Sequence, residues 1–105
     1  MTQKVGETWF VEFGQTEKPR WAMVVAVAGD ARLALASVVT ITTQYGGTPY
    51  EVALPRVPWL REQSYVNAQS IQPVRLFELT HKAQGQFDAR VLAEVRAAIK
   101  RWLKL

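Results

Sequence analysis

From Asp88 to the end of the chain, Val91, Leu92, Val95, Ala98, Ile99, Trp102 and Leu103 fall on one stripe of a helix. Asp88 is a plausible N-cap, because its short carboxylate can accept from the open N–H groups of a first turn. Lys100, Arg101 and Lys104 sit in the last turns, where cations suit the helix dipole. Before this helix the pattern has a period of two. Residues 6–13 alternate, with Trp9, Val11 and Phe13 on one side and Thr8, Phe10 and Glu12 on the other. Residues 20–27 are nearly all apolar, as in a strand buried on both faces. Gly29-Asp30 reads as the turn into a long strand at 32–43. In that strand Leu33, Leu35, Val39 and Ile41 share one face; Ala34, Ala36, Val38, Thr40 and Thr42 share the other, and the two alanines suggest close packing. Further strands are expected at 48–54, 64–69 and 71–76, with Pro73 marking an edge or a bulge. Residues 76–84 have room for a short helix. Short strands at turn spacing closed by one helix predict a mainly β chain, α+β by some counts: a small curled barrel with a helix packed on it.

With 105 residues, one domain over 1–105 is expected, and hydrophobic residues at 49% can supply its core. The absence of cysteine rules out disulfides, thiolate zinc sites and thiol nucleophiles, and suits a reducing compartment. Met1-Thr2-Gln3-Lys4 leads straight into a patterned strand, and no apolar run approaches the roughly 20 residues of a membrane span. A cytoplasmic protein with no membrane association is expected. The net charge of +4 permits an anionic partner without requiring one.

Most catalytic sets are missing. His81 is the one histidine, and the two aspartates, Asp30 and Asp88, sit at an apparent turn and a cap. No carboxylate or histidine spacing reads as a metal site, so neither metal nor cofactor is expected. Gly46-Gly47 lacks the Lys-Ser/Thr of a phosphate loop and reads as a hairpin turn. What remains is arginine, threonine, glutamine and aromatic residues. If the strands at 20–27 and 32–43 are antiparallel neighbours, the start of one lies beside the end of the other. Arg20 and Thr42 then meet, and a guanidinium beside hydroxyls can hold a phosphate. Taken singly, these residues have plainer roles: Arg20 as a solvated edge residue, Thr42-Thr43 as β-propensity, His81 as a surface histidine. Trp102 reads as core. Trp59, in a Pro-flanked loop, is open between packing and stacking a base, as are Tyr45 and Tyr50.

The ordered set of motifs resembles the MazF/PemK family of toxin–antitoxin ribonucleases. Gly6-Glu7-Thr8-Trp9-Phe10-Val11-Glu12-Phe13 is similar to the family's Gly-Asp-x-x-x-Val-x-Phe opening. Arg20 followed by Ala22-Met23-Val24-Val25 resembles its Arg-Pro and apolar strand. Ile41-Thr42-Thr43-Gln44, then Pro49-Tyr50-Glu51-Val52, resembles its Thr-Thr/Ser-Gln strand end and return strand. Ser64, Val66 and Gln69, and Gly85-x-Phe87 before the helix, complete the match along nearly the whole chain. The resemblance implies an SH3-like small β-barrel, a homodimer, and metal-independent cleavage of single-stranded RNA. It also implies a cognate antitoxin whose C-terminal segment covers the RNA groove. Its catalytic positions carry over to Arg20 and Thr42, with Lys18, Thr43, Gln44, Tyr45 and Gln69 as candidate RNA-binding residues. The loop before Arg20 departs from the family pattern: proline precedes the arginine, and Trp21 stands where proline is usual. A reshaped loop would either change RNA specificity or leave the site inactive. The alternative is a non-catalytic barrel that binds RNA or an antitoxin-like peptide in the same groove.

Overall fold

The computed structural model describes residues 3–14, 17–28 and 34–105. The expected Gly29-Asp30 turn and the start of the long strand at Arg32 and Leu33 lie outside them, as does part of the loop before Arg20. Among the described residues the order is β1 (Thr8–Val11), β2 (Arg20–Val27), β3 (Leu35–Thr42), β4 (Glu51–Ala53), β5 (Tyr65–Asn67), β6 (Gln72–Arg75), β7 (Leu79–Lys82) and α1 (Ala89–Leu103). The strands form one antiparallel sheet in the order β4-β5-β3-β2-β1-β7, with β6 also on β3.

β3 is the hinge of this arrangement. One edge pairs with β2. The other pairs with β6 along its first half and with β5 at its end. Between β5 and β6 a single 3-10 turn, Ala68–Ser70, shifts the register and bends the sheet. The Thr40 N–H, left without a strand partner there, donates to Ser70 Oγ at 2.8 Å, and that hydroxyl donates to the Asn67 carbonyl at 2.6 Å. A buried break in a ladder must satisfy its backbone groups in this way. Pro73 of β6 pairs with Ser37 of β3, and among the described residues β6 has no other strand beside it, so a missing N–H is tolerated.

The curled sheet buries both faces of its centre. Met23, Val39 and Ile41 pack with Val52 and Val66 under the helix residues Val91, Val95, Ala98 and Ile99. Ala22, Val24, Ala36 and Val38 pack with Trp9, Val11, Phe13 and Leu79. This is why β2 is apolar at consecutive positions. Ala36 is buried as its size suggested, whereas Ala34 is exposed. Each fully buried valine contributes about 1.5–3 kcal/mol relative to exposure.

Asp88 caps α1: the Val91 N–H donates to its Oδ1 at 3.1 Å. The stripe holds through Ile99 and fails beyond it. Trp102, expected in the core, is 39% exposed and meets Tyr50 edge to face at 5.3 Å. The last turn overhangs the sheet, where Arg101 Nε donates to the Pro49 carbonyl at 3.0 Å. Residues 76–84 hold one 3-10 turn, Leu76–Glu78, and then a strand instead of a helix: β7 pairs with β1. Its Leu79-Thr80-His81-Lys82 is too short to show a period, and β1 supplied the edge it needed. Residues 48–50 stay outside the sheet, so β4 starts at Glu51.

Candidate functional site

β2 and β3 align Ala22 with Thr40, and the same register continued two residues further would bring Arg20 opposite Thr42. Directly opposed residues of an antiparallel pair project to the same face, so both side chains leave the sheet together. They border an open cleft of about 430 Å³ at the end of the strand pair.

Arg20 is about one-third exposed. Its Nε is buried yet has no hydrogen-bond partner among the described residues, and the nearest Glu17 oxygen stands 3.9 Å away, beyond hydrogen-bond reach. A guanidinium left partly unpaired at a cleft is prepared for an anion that brings its own acceptors. Thr42 Oγ1 accepts the Gln44 N–H at 3.1 Å, which leaves its O–H to donate into the cleft.

The remaining candidates gather around this pair. Gln44, Tyr45 and Gln69 line the same cleft. Lys18 and Thr43 line an adjoining depression that also borders Arg20 and Thr42. Tyr45 is exposed and stacks on Tyr65, with ring centroids 4.7 Å apart and planes 22° from parallel. Tyr50 instead packs against the helix core. His81 is exposed on β7, its Nδ1 3.1 Å from Thr80 Oγ1, and does not line these depressions. Trp59 is committed to packing against Trp21 and Phe87.

Thr40, Thr48, Glu51 and Asn67 also line the cleft and went unrecognised in the sequence. Thr40 and Asn67 each lie two residues before a named candidate, Thr42 and Gln69, and that alternation was the available signal. Glu51 had no such signal. Its carboxylate accepts from the Gly46 N–H at 2.7 Å, the Thr48 N–H at 2.8 Å and the Thr48 hydroxyl at 2.8 Å. These bonds, led by that from Gly46, hold its pKa below the usual carboxylate value. They also fix the loop that presents Gln44 and Tyr45. Gly47 makes the turn in the left-handed region, at φ +75°, where glycine is favoured. Among the described residues no group of histidine, aspartate or glutamate is placed to hold a metal ion.

The sequence pattern of the PemK-like, MazF-like toxins of type II toxin–antitoxin systems matches residues 4–103. The chain belongs to this toxin family. Solved structures share the PemK/MazF-like fold. An endoribonuclease in complex with its cognate antitoxin, from a mycobacterial species, superposes with a TM-score of 0.82 at 21% identity, covering 99% of this chain and 97% of that one. MazF from Deinococcus radiodurans gives a TM-score of 0.79 at 23% identity, covering 100% and 99%. The Mycobacterium tuberculosis toxin MazF-mt6 gives 0.74 at 21% identity, covering 94% and 97%. Among curated proteins, none matches.

Proposed function

We propose that this chain is the toxin of a toxin–antitoxin pair and cleaves single-stranded RNA without a metal, acting as one domain through Arg20 and Thr42. The observation that supports the reading is that Arg20, whose buried Nε has no hydrogen-bond partner among the described residues, lines one open cleft together with Thr42. In the reaction the ribose 2′-oxygen attacks the adjacent phosphorus while the bond from phosphorus to the 5′-oxygen breaks. The 2′-hydroxyl loses its proton and the departing 5′-oxygen gains one, leaving a 2′,3′-cyclic phosphate and a 5′-hydroxyl. Neither metal nor protein nucleophile is needed; the phosphate must be positioned and its extra negative charge stabilised. Arg20 supplies the charge and Thr42 a hydrogen bond to a phosphate oxygen. A guanidinium offers charge and N–H donors but no acceptor for a proton, so the role of Arg20 is electrostatic. Glu51 is a poor base as well, because its oxygens hold the 44–48 loop. Lys18, Thr43, Gln44, Tyr45 and Gln69 bind the flanking nucleotides. The required 2′-OH accounts for RNA over DNA.

The partners follow the endoribonuclease–antitoxin complex that shares the fold. An acidic antitoxin C-terminal segment would complement the cleft around Lys18 and Arg20, and the toxin itself would be a homodimer. The cysteine-free composition suits the cytoplasm, and among the described residues no helix is long and apolar enough to cross a membrane.

The test is cleavage of a mixed-sequence RNA in the presence of a metal chelator. Arg20→Ala is expected to cut at least about a hundredfold more slowly than wild type. Equal rates overturn the assignment. Because no uncommitted general base lines the cleft among the described residues, a second reading has support: a barrel that binds RNA or an antitoxin-like peptide without cutting. Tight RNA binding with no cleavage under any condition would identify it.

A further inference from the structure

A depression of about 280 Å³ lies around the strand end from the phosphate cleft. Pro19, Arg20, Thr42 and Thr43 border both it and the depression at Lys18, so the grooves are continuous. Arg20 and Trp21 are successive residues at the start of β2, and their side chains therefore leave the sheet on opposite faces. The wall changes character at that point. On the Arg20 side it is Gln44, Asn67 and Gln69, rich in donors and acceptors. On the Trp21 side it is Phe10, Trp21 and Leu60, with Arg61, Glu62 and Ser64 also lining it.

Phe10 and Trp21 are a cross-strand pair, so both rings project to one face. Their planes meet at 75° with centroids 5.4 Å apart, forming a corner. A flat base entering it lies face-on to one ring and edge-on to the other, the two arrangements aromatic rings favour. The corner is braced from behind. Trp21 meets Trp59 at 6.0 Å, and Trp59 meets Phe87 of the core at 5.2 Å. A wall held this way has little freedom to lose when a ligand arrives.

We propose that the corner of Phe10 and Trp21 is a stacking site for the base of a nucleotide adjoining the phosphate held by Arg20 and Thr42. Arg61, which lines the same depression beside Glu62, is the cation there that would meet that nucleotide's outer phosphate. This rests on RNA being the ligand of the cleft. It makes recognition two-sided: hydrogen bonds select the base beside Gln44 and Gln69, whereas stacking on Trp21 accepts any base, because every base has a π-face.

Short RNAs made uncleavable by a 2′-deoxyribose at the cut site test this, with an abasic residue placed in turn at each flanking position. Binding is read by anisotropy, and cleavage of the all-ribose RNA is read in parallel. One position is expected where removing the base weakens binding about tenfold while exchanging the four bases changes it less than about threefold. In Trp21→Leu the abasic penalty at that position disappears and penalties elsewhere persist; Trp21→Phe retains it. Phe10→Leu, which removes the second ring of the corner, halves the same penalty or more. The proposal is overturned if wild type binds and cuts RNA but no position has a penalty that depends on Trp21. It also falls if that position discriminates strongly among bases. RNA that is neither bound nor cut overturns the RNA reading, and this proposal with it.

Discussion

Arg20 lines the cleft with a buried Nε that has no hydrogen-bond partner among the described residues, and the Thr42 hydroxyl lines the same cleft. Thr42→Val removes that hydroxyl and keeps the shape. Cleavage is expected to fall about tenfold to a hundredfold, the range for losing one hydrogen bond to a charged group, with little change in melting temperature. Glu7 is a different kind of charged residue, because it serves the fold. It is buried, accepts the Lys4 N–H at 2.8 Å and the Trp9 indole N–H at 3.1 Å, and lies 3.0 Å from the Lys82 ammonium. Burial alone would raise its pKa, but the Lys4 N–H, Lys82 and Trp9 together bring it below the ordinary 4.5. A depressed folded-state pKa means that the unfolded chain binds the proton more readily. The stabilisation is therefore complete above pH 4.5 and is lost as pH falls through the lower folded value. Melting temperature followed downward from pH 6 is expected to drop more steeply for wild type than for Glu7→Gln, which carries no titrating group there.

At the scale of elements, α1 was legible because fifteen residues carry several full periods and a cap. Asp88→Ala is expected to cost about 1 kcal/mol in urea unfolding, the usual value of an N-cap. β7 was not legible, since four residues hold no period and their strand character depends on β1. The Gly85-x-Phe87 motif acquires a physical reason. A Cβ at Gly85 would stand 2.9 Å from Trp59 Nε1, and Trp59 is wedged between Trp21 and Phe87. Gly85→Ala must move that ring and is expected to destabilise the chain by about 1–3 kcal/mol. If it melts like wild type, the ring has room to shift and the bracing of Trp21 is weaker than described.

Across the whole molecule, one curled sheet separates two apolar clusters, and the site lies at the end of its central strand pair. The net charge of +4 is modest, so attraction to RNA must come from local placement. A groove that contacts about three phosphates through Lys18, Arg20 and Arg61 is expected to show a slope of roughly −2 in log K against log salt. Arg61→Ala should reduce that slope by about 0.7, measured from binding isotherms across a salt series.

The chain's own pattern located three strands, read at 6–13, 20–27 and 32–43 and formed among the described residues at 8–11, 20–27 and 35–42, the capped helix, and the antiparallel neighbourhood of the second and third strands. Each depends on periodicity or on neighbours joined by a short connection, which are local properties. Tertiary structure decided the rest. Whether Trp102 is buried depends on where the sheet stops beneath the helix. Glu51 becomes the anchor of the 44–48 loop only once that loop folds back over it. Trp21 stands beside Phe10 through the β1–β2 register, and the wall they form belongs to the groove because β3 ends beside it. Contacts between residues distant in sequence are set by the packing of whole elements, and no local pattern records them.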